Sequence, residues 1–207
     1  MSVTGLSSDQ LVIGTANGVG IYVADSLTTP APTDTATDWG TGWVPLGYAS
    51  DDGPTISSST DTTDITAWQA LGSLRSVITG RTITVQFQLM QWSAVNVALY
   101  WDIDTPTFDN TTGAYSFSVR SDQAGRRRQI GVDVKDGANI VRIIFPRVQL
   151  NAAGDLQFQR SAAAVLDVTF AALETDGVLL KQVGILPPVA APISAPLTAP
   201  VSASSGD

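Results

Sequence analysis

The stretch that decides the fold is Arg81-Thr82-Ile83-Thr84-Val85-Gln86-Phe87-Gln88-Leu89-Met90, along which apolar and polar side chains alternate. Ile83, Val85, Phe87 and Leu89 fall on one face, and Thr or Gln occupies the positions between them. This period of two residues predicts a β-strand with one face in the core and the other face in water.

A second alternating run, Trp43-Val44-Pro45-Leu46-Gly47-Tyr48, predicts a strand with Val44, Leu46 and Tyr48 on one face. Between the two strands, residues 49–67 are rich in Thr, Ser and Asp and hold few core-forming side chains. An ordered segment of this composition must recover its conformational entropy through contacts outside its own fold. We therefore predict that 49–67 is a long arm for assembly between copies. The residues predicted to make its contacts are Asp51, Asp52, Thr55, Ile56, Asp61 and Asp64.

Period-two runs recur along the chain and predict about eight strands in all. Those outside the two already described lie at 19–23, 115–119, 130–134, 140–148, 164–172 and 178–183. The run 140–148 is apolar on both faces, as is typical of a central or covered strand. Residues 161–174 also suit a helix, but we favour a strand over 164–172. Ser93 is predicted to cap the one short helix, 93–100.

This pattern predicts an all-β domain with one short α-helix, built as a sandwich or in a barrel-like form. We place the domain at 15–186, after an N-terminal arm at 1–14. A chain of 207 residues is long enough for one such domain with a real core.

The composition disfavours catalysis and metal binding. The chain contains no Cys and no His, and its one Glu is Glu174, so thiolate chemistry and the commonest general base are missing. Asp102 and Asp104 begin a run that resembles a calcium loop, but Thr107 and Gly113 stand where that loop needs Gly and Glu. We therefore expect no enzyme, no metal and no cofactor. We also expect neither a secretory signal nor a transmembrane helix, because the needed apolar runs are missing.

The net negative charge of the chain arises in its first third. No Lys or Arg precedes Arg75, whereas eight Asp residues do, and the net charge of the whole chain is −8. Binding to phosphate backbones needs a basic surface, so conventional DNA binding is disfavoured. One basic run stands out, formed by Arg126, Arg127 and Arg128. It is either a solvated turn or a contact with acidic groups of another copy, such as those of the arm.

The last segment, 187–207, repeats a four-residue unit of Pro, an aliphatic residue, a small residue and Ala. Proline at every fourth position forbids a continuous α-helix. An extended, polyproline-like tail of on the order of 50 Å is expected. It is either disordered or a strap lying on a neighbouring subunit.

The order of these segments resembles a known family over residues 15–185. Tyr48-Ala49-Ser50-Asp51-Asp52-Gly53, a Thr-rich stretch, Ile65-Thr66-Ala67-Trp68-Gln69 and then Arg81-Thr82-Ile83-Thr84-Val85-Gln86-Phe87 resemble the major tail tube proteins of long-tailed bacteriophages. The short helix that follows the last of these strands continues the resemblance.

The resemblance implies a β-sandwich flanked by a helix, assembled as stacked hexameric rings around a tape-measure protein. The sheets of six copies would join into one barrel with an acidic bore, through which genome DNA passes at ejection without specific binding. The long arm would make contacts between subunits and between rings, and tail terminator or tip proteins would be further partners. The protein would be made in the host cytoplasm, would not insert into a membrane, and would reside in the virion tail.

Two other classes of protein remain open. A different virion part, such as a capsid decoration or tail terminator protein, would form a trimer or a single ring. A carbohydrate-binding β-sandwich module would expose its tryptophans in a row for stacking on sugars. The five candidates are Trp39, Trp43, Trp68, Trp92 and Trp101.

Overall fold

A computed structural model describes residues 19–69, 72–107, 109, 111–160 and 163–185. The predicted N-terminal arm at 1–14 and the Pro-rich tail at 187–207 lie outside these residues. Within the described ranges, no helix combines the length and the hydropathy that crossing a bilayer requires.

The described part of the chain contains eight strands and one short helix, which confirms the predicted all-β class. In chain order the elements are β1 Val19–Ala24, β2 Val44–Pro45, β3 Thr55–Ile65, β4 Arg75–Leu89, α1 Ala94–Tyr100, β5 Arg127–Asp136, β6 Asn139–Ala153, β7 Leu166–Ala172 and β8 Lys181–Ile185.

The strands form one antiparallel sheet in the order β2-β1-β5-β6-β7-β4-β3, with β8 added beside β6. β6 is central, as its two apolar faces predict. It pairs with β5 along one edge, and its other edge is shared by β8 at residues 140–144 and β7 at residues 148–153. β7 and β8 thus follow one another along the same side of β6.

Residues 46–50 bring the two ends of this open sheet together. The Leu46 N–H donates to the Ile21 carbonyl of β1 over 2.9 Å, and the Ser50 N–H donates to the Gln88 carbonyl of β4 over 2.9 Å. Five residues span at most about 17 Å. Since β1 and β4 are separated by three strands in the sheet order, the sheet must curl around its core, and this gives the open sheet its barrel-like form.

The core fills the inside of the curled sheet. Val85, Phe87 and Leu89 are at most 1% exposed, which confirms the face predicted for this strand, while Ile83 is half-buried at its margin. Strands β1, β4, β5, β6 and β7 all contribute to one buried cluster. The largest fully buried side chains are those of Phe87, Phe145, Phe170, Leu46, Leu89, Leu99, Ile130 and Leu166.

Helix α1 holds the segment that joins the two ends. Ser93 caps the helix, as predicted, because its Oγ accepts the N–H of Asn96 over 3.2 Å. The fully buried Asn96 side chain donates from Nδ2 to the carbonyls of Leu46 (2.8 Å) and Gln91 (2.6 Å). These bonds fix the start of residues 46–50 against the core.

The strand predicted over 43–48 is wrong in length and in orientation. Only Val44–Pro45 pairs, with β1, and Gly47 adopts a φ of 78° that ends the extended run. Leu46 is 1% exposed, but Val44 and Tyr48 are 41% and 78% exposed, so the three do not share a buried face. The turn at Gly47 breaks the alternation.

Two other predicted strands need correction. Residues 115–119 form none of the described strands, because Tyr115 and Phe117 stack on each other at 6.2 Å on the surface instead of entering the core. The strand predicted at 178–183 lies at Lys181–Ile185, since Val178 is held in a turn by mutual backbone hydrogen bonds with Thr175. The strand favoured over 164–172 is confirmed as β7.

The loop between β1 and β2 covers the outer face of the sheet through Arg142 of β6. The Arg142 guanidinium donates to both carboxylate oxygens of Asp133 and to the carbonyls of Asp34 and Thr37, and it lies 4.7 Å from the Trp39 ring centroid. The hydrogen bonds that Arg142 donates to the Asp133 carboxylate are the main cause of the raised pKa of Arg142. The loop is therefore fixed to the sheet by the buried guanidinium of Arg142, whose charge is balanced by Asp133 and whose other hydrogen bonds go to loop carbonyls.

Gly131 of β5 lies under the Trp39 ring, and an added Cβ there would overlap the indole. We expect Gly131→Ala to lower the free energy of unfolding by about 1–3 kcal/mol, because the ring must shift away from Arg142 and Asp133. Gly40→Ala is the matched control, since the methyl group that it adds would meet no other atom within 4 Å. Denaturant unfolding measures both changes, and equal stabilities of the two variants would contradict this packing.

Candidate assembly surface

Strand β4 extends well beyond the residues that pair it with β7. Residues 84–89 pair with β7, whereas residues 75–83 pair only with β3. Residues 57–69 and 72–83 therefore form a two-stranded ribbon, the hairpin arm, whose strands run about 30 Å beyond the last residue of β4 that pairs with β7. The arm predicted at 49–67 is the first half of this hairpin. The sequence does not predict its second half, 75–80, because Gly80 and the run Val77-Ile78 interrupt the alternation.

The hairpin arm buries almost nothing within its own chain. Every side chain of β3 is exposed except that of Ile56, which is half-buried at the base and packs against the core. Residues 75–79 of β4 are exposed as well. An isolated two-stranded hairpin is marginally stable in water at best. The arm therefore lacks the internal packing that holds the rest of the sheet.

The distal end of the hairpin arm carries exposed apolar side chains. Trp68 is 99% exposed, and Ile65, Leu74 and Ile78 are 50–64% exposed. The Leu74 N–H donates to the Ile65 carbonyl over 2.8 Å, so both flank the connection between the strands. Exposed apolar groups gathered at one end of a projection mark an interaction surface. The sequence signal was available at Trp68, which stands far from any predicted core strand.

The predicted arm residues divide into two groups. Asp61 and Asp64 are exposed along β3, and Asp51 and Asp52 are exposed in the turn that precedes it. Thr55 and Ile56 lie at the base, opposite Gln86 and Val85 of β4, where the arm joins the sheet. The four carboxylates are thus available to another molecule, while Ile56 already serves its own core.

The basic run does not act as one unit. Arg128 is 2% exposed, and its guanidinium donates to Asp25 Oδ1 (2.8 Å), Asp102 Oδ1 (2.7 Å) and the Ile103 carbonyl (3.0 Å). Arg126 is half-buried and pairs with Asp104. Arg127 is exposed. Arg127 and Arg128 belong to β5 and not to a turn, so Arg127 and the outer part of Arg126 are the groups left at the surface.

The same ion pairs account for Asp102 and Asp104, the carboxylates of the run that resembles a calcium loop but lacks its spacing. Asp102 and Asp104 bind Arg128 and Arg126, and Asp102 also accepts the Arg126 backbone N–H over 2.9 Å. Among the described residues, no three acidic side chains gather in a way that could hold a metal ion.

An open cavity of about 530 Å³ lies beside this cluster, between Ile103 and the 117–126 segment. Phe117 lines it, and its ring lies 6.4 Å from that of Trp101. Two ion pairs, Arg126 with Asp104 and Arg120 with Asp122, border the cavity, so its charges are balanced within the chain. The cavity offers no set of groups arranged for catalysis.

The five tryptophans do not form a platform. Trp39 stacks on Tyr22 at 4.7 Å, and Trp43 is 7% exposed and lies 4.5 Å from the Trp39 ring. Trp68, Trp92 and Trp101 are exposed, but they belong to the hairpin arm, the segment before α1 and the segment after it. Because Trp39 and Trp43 pack within the fold and the other three lie apart in the chain, the five rings do not form a row on which a sugar could stack.

Comparisons with known proteins find one matching family model and a distant structural likeness. A family model described as phage tail tube protein matches residues 4–183 of the chain. No curated protein matches it. Among solved structures, the tail of an empty GTA particle, computed with helical refinement and C6 symmetry, is similar to it at 10% sequence identity. That likeness has a TM-score of 0.41 and covers 78% of this chain and 95% of the other.

The contrast between adjacent arginines yields a stability test. We expect Arg128→Ala to lower the free energy of unfolding by about 3 kcal/mol, because it leaves Asp102 partly buried without its cation. Arg127→Ala, at an exposed neighbouring position, should change it by less than about 0.5 kcal/mol. Urea unfolding measures both, and a small effect of Arg128→Ala would show that the buried ion pairs do not hold this part of the fold.

Proposed function

The chain belongs to the phage tail tube protein family, and on that basis we propose that its copies form hexameric rings that stack into the tail tube. It is a structural protein of the virion tail, and membership of this family implies a structural role and not an enzymatic one. The observation that carries the proposal is the hairpin arm, which projects from a complete core and ends in exposed apolar side chains.

Burial of the arm end against another copy would drive association. Removing a large apolar side chain from water contributes roughly 1.5–3 kcal/mol, and Trp68 and Leu74 are both available. Each copy gives an arm to one neighbour and receives an arm from another, which is a heterologous contact. Contacts of this kind close into rings, and repetition along an axis builds a filament.

Charged groups would orient these contacts. Asp61 and Asp64 project from β3, and Arg127 is exposed at the start of β5 with Arg126 beside it. A carboxylate of one copy's arm can meet these guanidinium groups on the next copy, since Arg binds carboxylate with paired hydrogen bonds. Arg128 takes no part, because its own chain occupies its donors.

The excess of negative charge in the first third of the chain suits a conduit for DNA. Residues 1–74 carry eight Asp and no basic side chain, so the net charge of −8 arises entirely there. A bore lined by part of this segment repels the phosphate backbone and lets the genome slide through at ejection. The partners inside and at the ends of such a tube would be a tape-measure protein and tail terminator or tip proteins.

Electron micrographs of the purified full chain distinguish this function from those of other virion parts. Stacked rings that extend into long tubes support the proposal. A trimer or a single ring that never extends would instead indicate a decoration or terminator protein.

The apolar end of the arm gives the first variant. We expect Trp68→Ser with Leu74→Ser to abolish tube formation in micrographs, because the burial that drives association is lost. The monomer should keep its melting temperature, since both side chains are exposed in the single chain. Val119→Ser with Phe158→Ser removes two exposed apolar groups outside the arm and serves as the matched control. Tubes of normal length from the arm variant would refute the role of the arm end.

The acidic turn at the base of the arm gives the second variant. We expect Asp51→Lys with Asp52→Lys to leave the monomer folded but to block polymerisation, because the charge of the contact is reversed. Asp155→Lys with Glu174→Lys makes the same change in net charge at exposed positions away from the arm. Light scattering and micrographs report assembly, and equal assembly of the two variants would count against the acidic contact.

A further inference from the structure

The outer edge of β3 is a long strand edge with no partner in the described chain. β3 lies at the end of the strand order and pairs only with β4. It has 11 residues and contains neither Pro nor Lys, which most often protect an exposed edge, and its only charged side chains are those of Asp61 and Asp64. β2, at the opposite end of the order, has only two residues. β3 therefore offers backbone donors and acceptors over a length sufficient for another whole strand.

The C-terminal repeat has a period of two as well as a period of four. The residues with even numbers, called the even positions, are Pro188, Ala190, Pro192, Ser194, Pro196, Thr198, Pro200 and Ser202. The odd positions hold Val189, Ala191, Ile193, Ala195, Leu197, Ala199, Val201 and Ala203. In an extended strand, alternate side chains lie on opposite faces, so all the aliphatic residues would share one face with Ala.

The same parity separates the two backbone edges of such a strand. The N–H and C=O of one residue point to one edge, and those of the next residue point to the other. All four repeat prolines have even numbers, and proline has no backbone N–H. The edge formed by the odd-numbered residues, the odd edge, therefore keeps every N–H donor, whereas the edge formed by the even-numbered residues, the even edge, loses every second donor. A strand of this kind can pair on one side and ends the sheet on the other. A polyproline helix, with three residues per turn, would instead spread prolines spaced by four around its axis.

We propose that this tail, residues 188–203, adds as a β-strand to the outer edge of β3 in a neighbouring copy of the assembled tube. The inference rests on the proposed function, because it requires a neighbouring copy. Sixteen residues extend about 53 Å and β3 about 37 Å, so one tail can cover the whole edge. The prolines would face away from β3 and protect the new edge.

The strand registers favour a neighbouring copy over the tail's own β3. Ile185, the last residue of β8, lies opposite Ile140 of β6. Counting residues from β6 across the paired strands β7 and β4 places Ile65, the last residue of β3, at about the same height along the strands as Ile140. β3 and β8 also run in the same direction, since both are antiparallel to β6. A tail that continued from Ile185 in the direction of β8 would run past the end of its own β3, toward a copy stacked on that side.

Cysteine crosslinking tests the pairing directly, because the natural chain has no Cys. Thr60→Cys in β3 is combined with a single Cys at each non-proline position from 190 to 199, and assembled tubes are oxidised. Disulfides need Cα atoms within about 7 Å, so a strand gives ladders of linked subunits on gels at alternate tail positions only. Ser59→Cys, on the opposite face of β3, should link best at the other parity.

Two outcomes of this scan would overturn the proposal. Crosslinks that ignore parity would exclude strand pairing, and the absence of crosslinks in tubes visible by microscopy would exclude the β3 edge while leaving the proposed function intact. If no tubes form, the proposed function fails and the inference fails with it.

Added prolines provide a second, matched test. Ala191→Pro, Ala195→Pro and Ala199→Pro together remove donors from the odd edge, whereas Ala190→Pro, Ser194→Pro and Thr198→Pro add prolines to the even edge. We expect the odd set to lower the dissociation temperature of tubes as far as deletion of 187–207 does, and the even set to leave it unchanged. The melting temperature of the monomer should be the same for all of them. Equal effects of the two sets on tubes would contradict a one-sided strand.

Discussion

A two-stranded ribbon that buries almost none of its side chains cannot be held by its own ten or so backbone hydrogen bonds, since unfolding exchanges them for bonds to water. The hairpin arm is such a ribbon. It is continuous with the sheet only because β4 runs from the core at 84–89 into the arm at 75–83. We therefore propose that its stability depends on contacts with another copy, made by the exposed apolar side chains at its end.

The rest of the fold is complete without a partner. Residues 46–50 join β1 to β4, Asn96 fixes that segment to helix α1, and one buried cluster fills the space inside the curled sheet. On the outer face, Arg142 holds the loop between β1 and β2 through the carboxylate of Asp133. A body held by its own contacts, with an arm that is not, fits the proposed assembly of copies into rings.

The sequence predicts those parts of the fold that depend on local alternation. The buried face of 81–90 follows from periodicity, and the cap at Ser93 follows from the preference of Ser for helix starts. The two apolar faces of 140–148 predict a central or a covered strand, and β6 is central. Alternation fails at Tyr48 because a positive φ at Gly47 ends the extended run. It also cannot reveal that Arg128 is buried, because its partner Asp25 is 103 residues away in the sequence and only the fold brings the two together. For the arm, composition predicts that the segment needs outside contacts, but the apolar end emerges only when β4 is seen to extend into it.

Amide hydrogen exchange in the arm, measured by mass spectrometry in the monomer and in assembled tubes, tests the central claim most directly. The account predicts that amides at 57–65 and 75–83 exchange rapidly in the monomer while those of β5 and β6 are protected, and that the arm amides become protected on assembly. Arm amides that are as protected in the monomer as those of the central strands would contradict it, because the ribbon would then be stable without a neighbour.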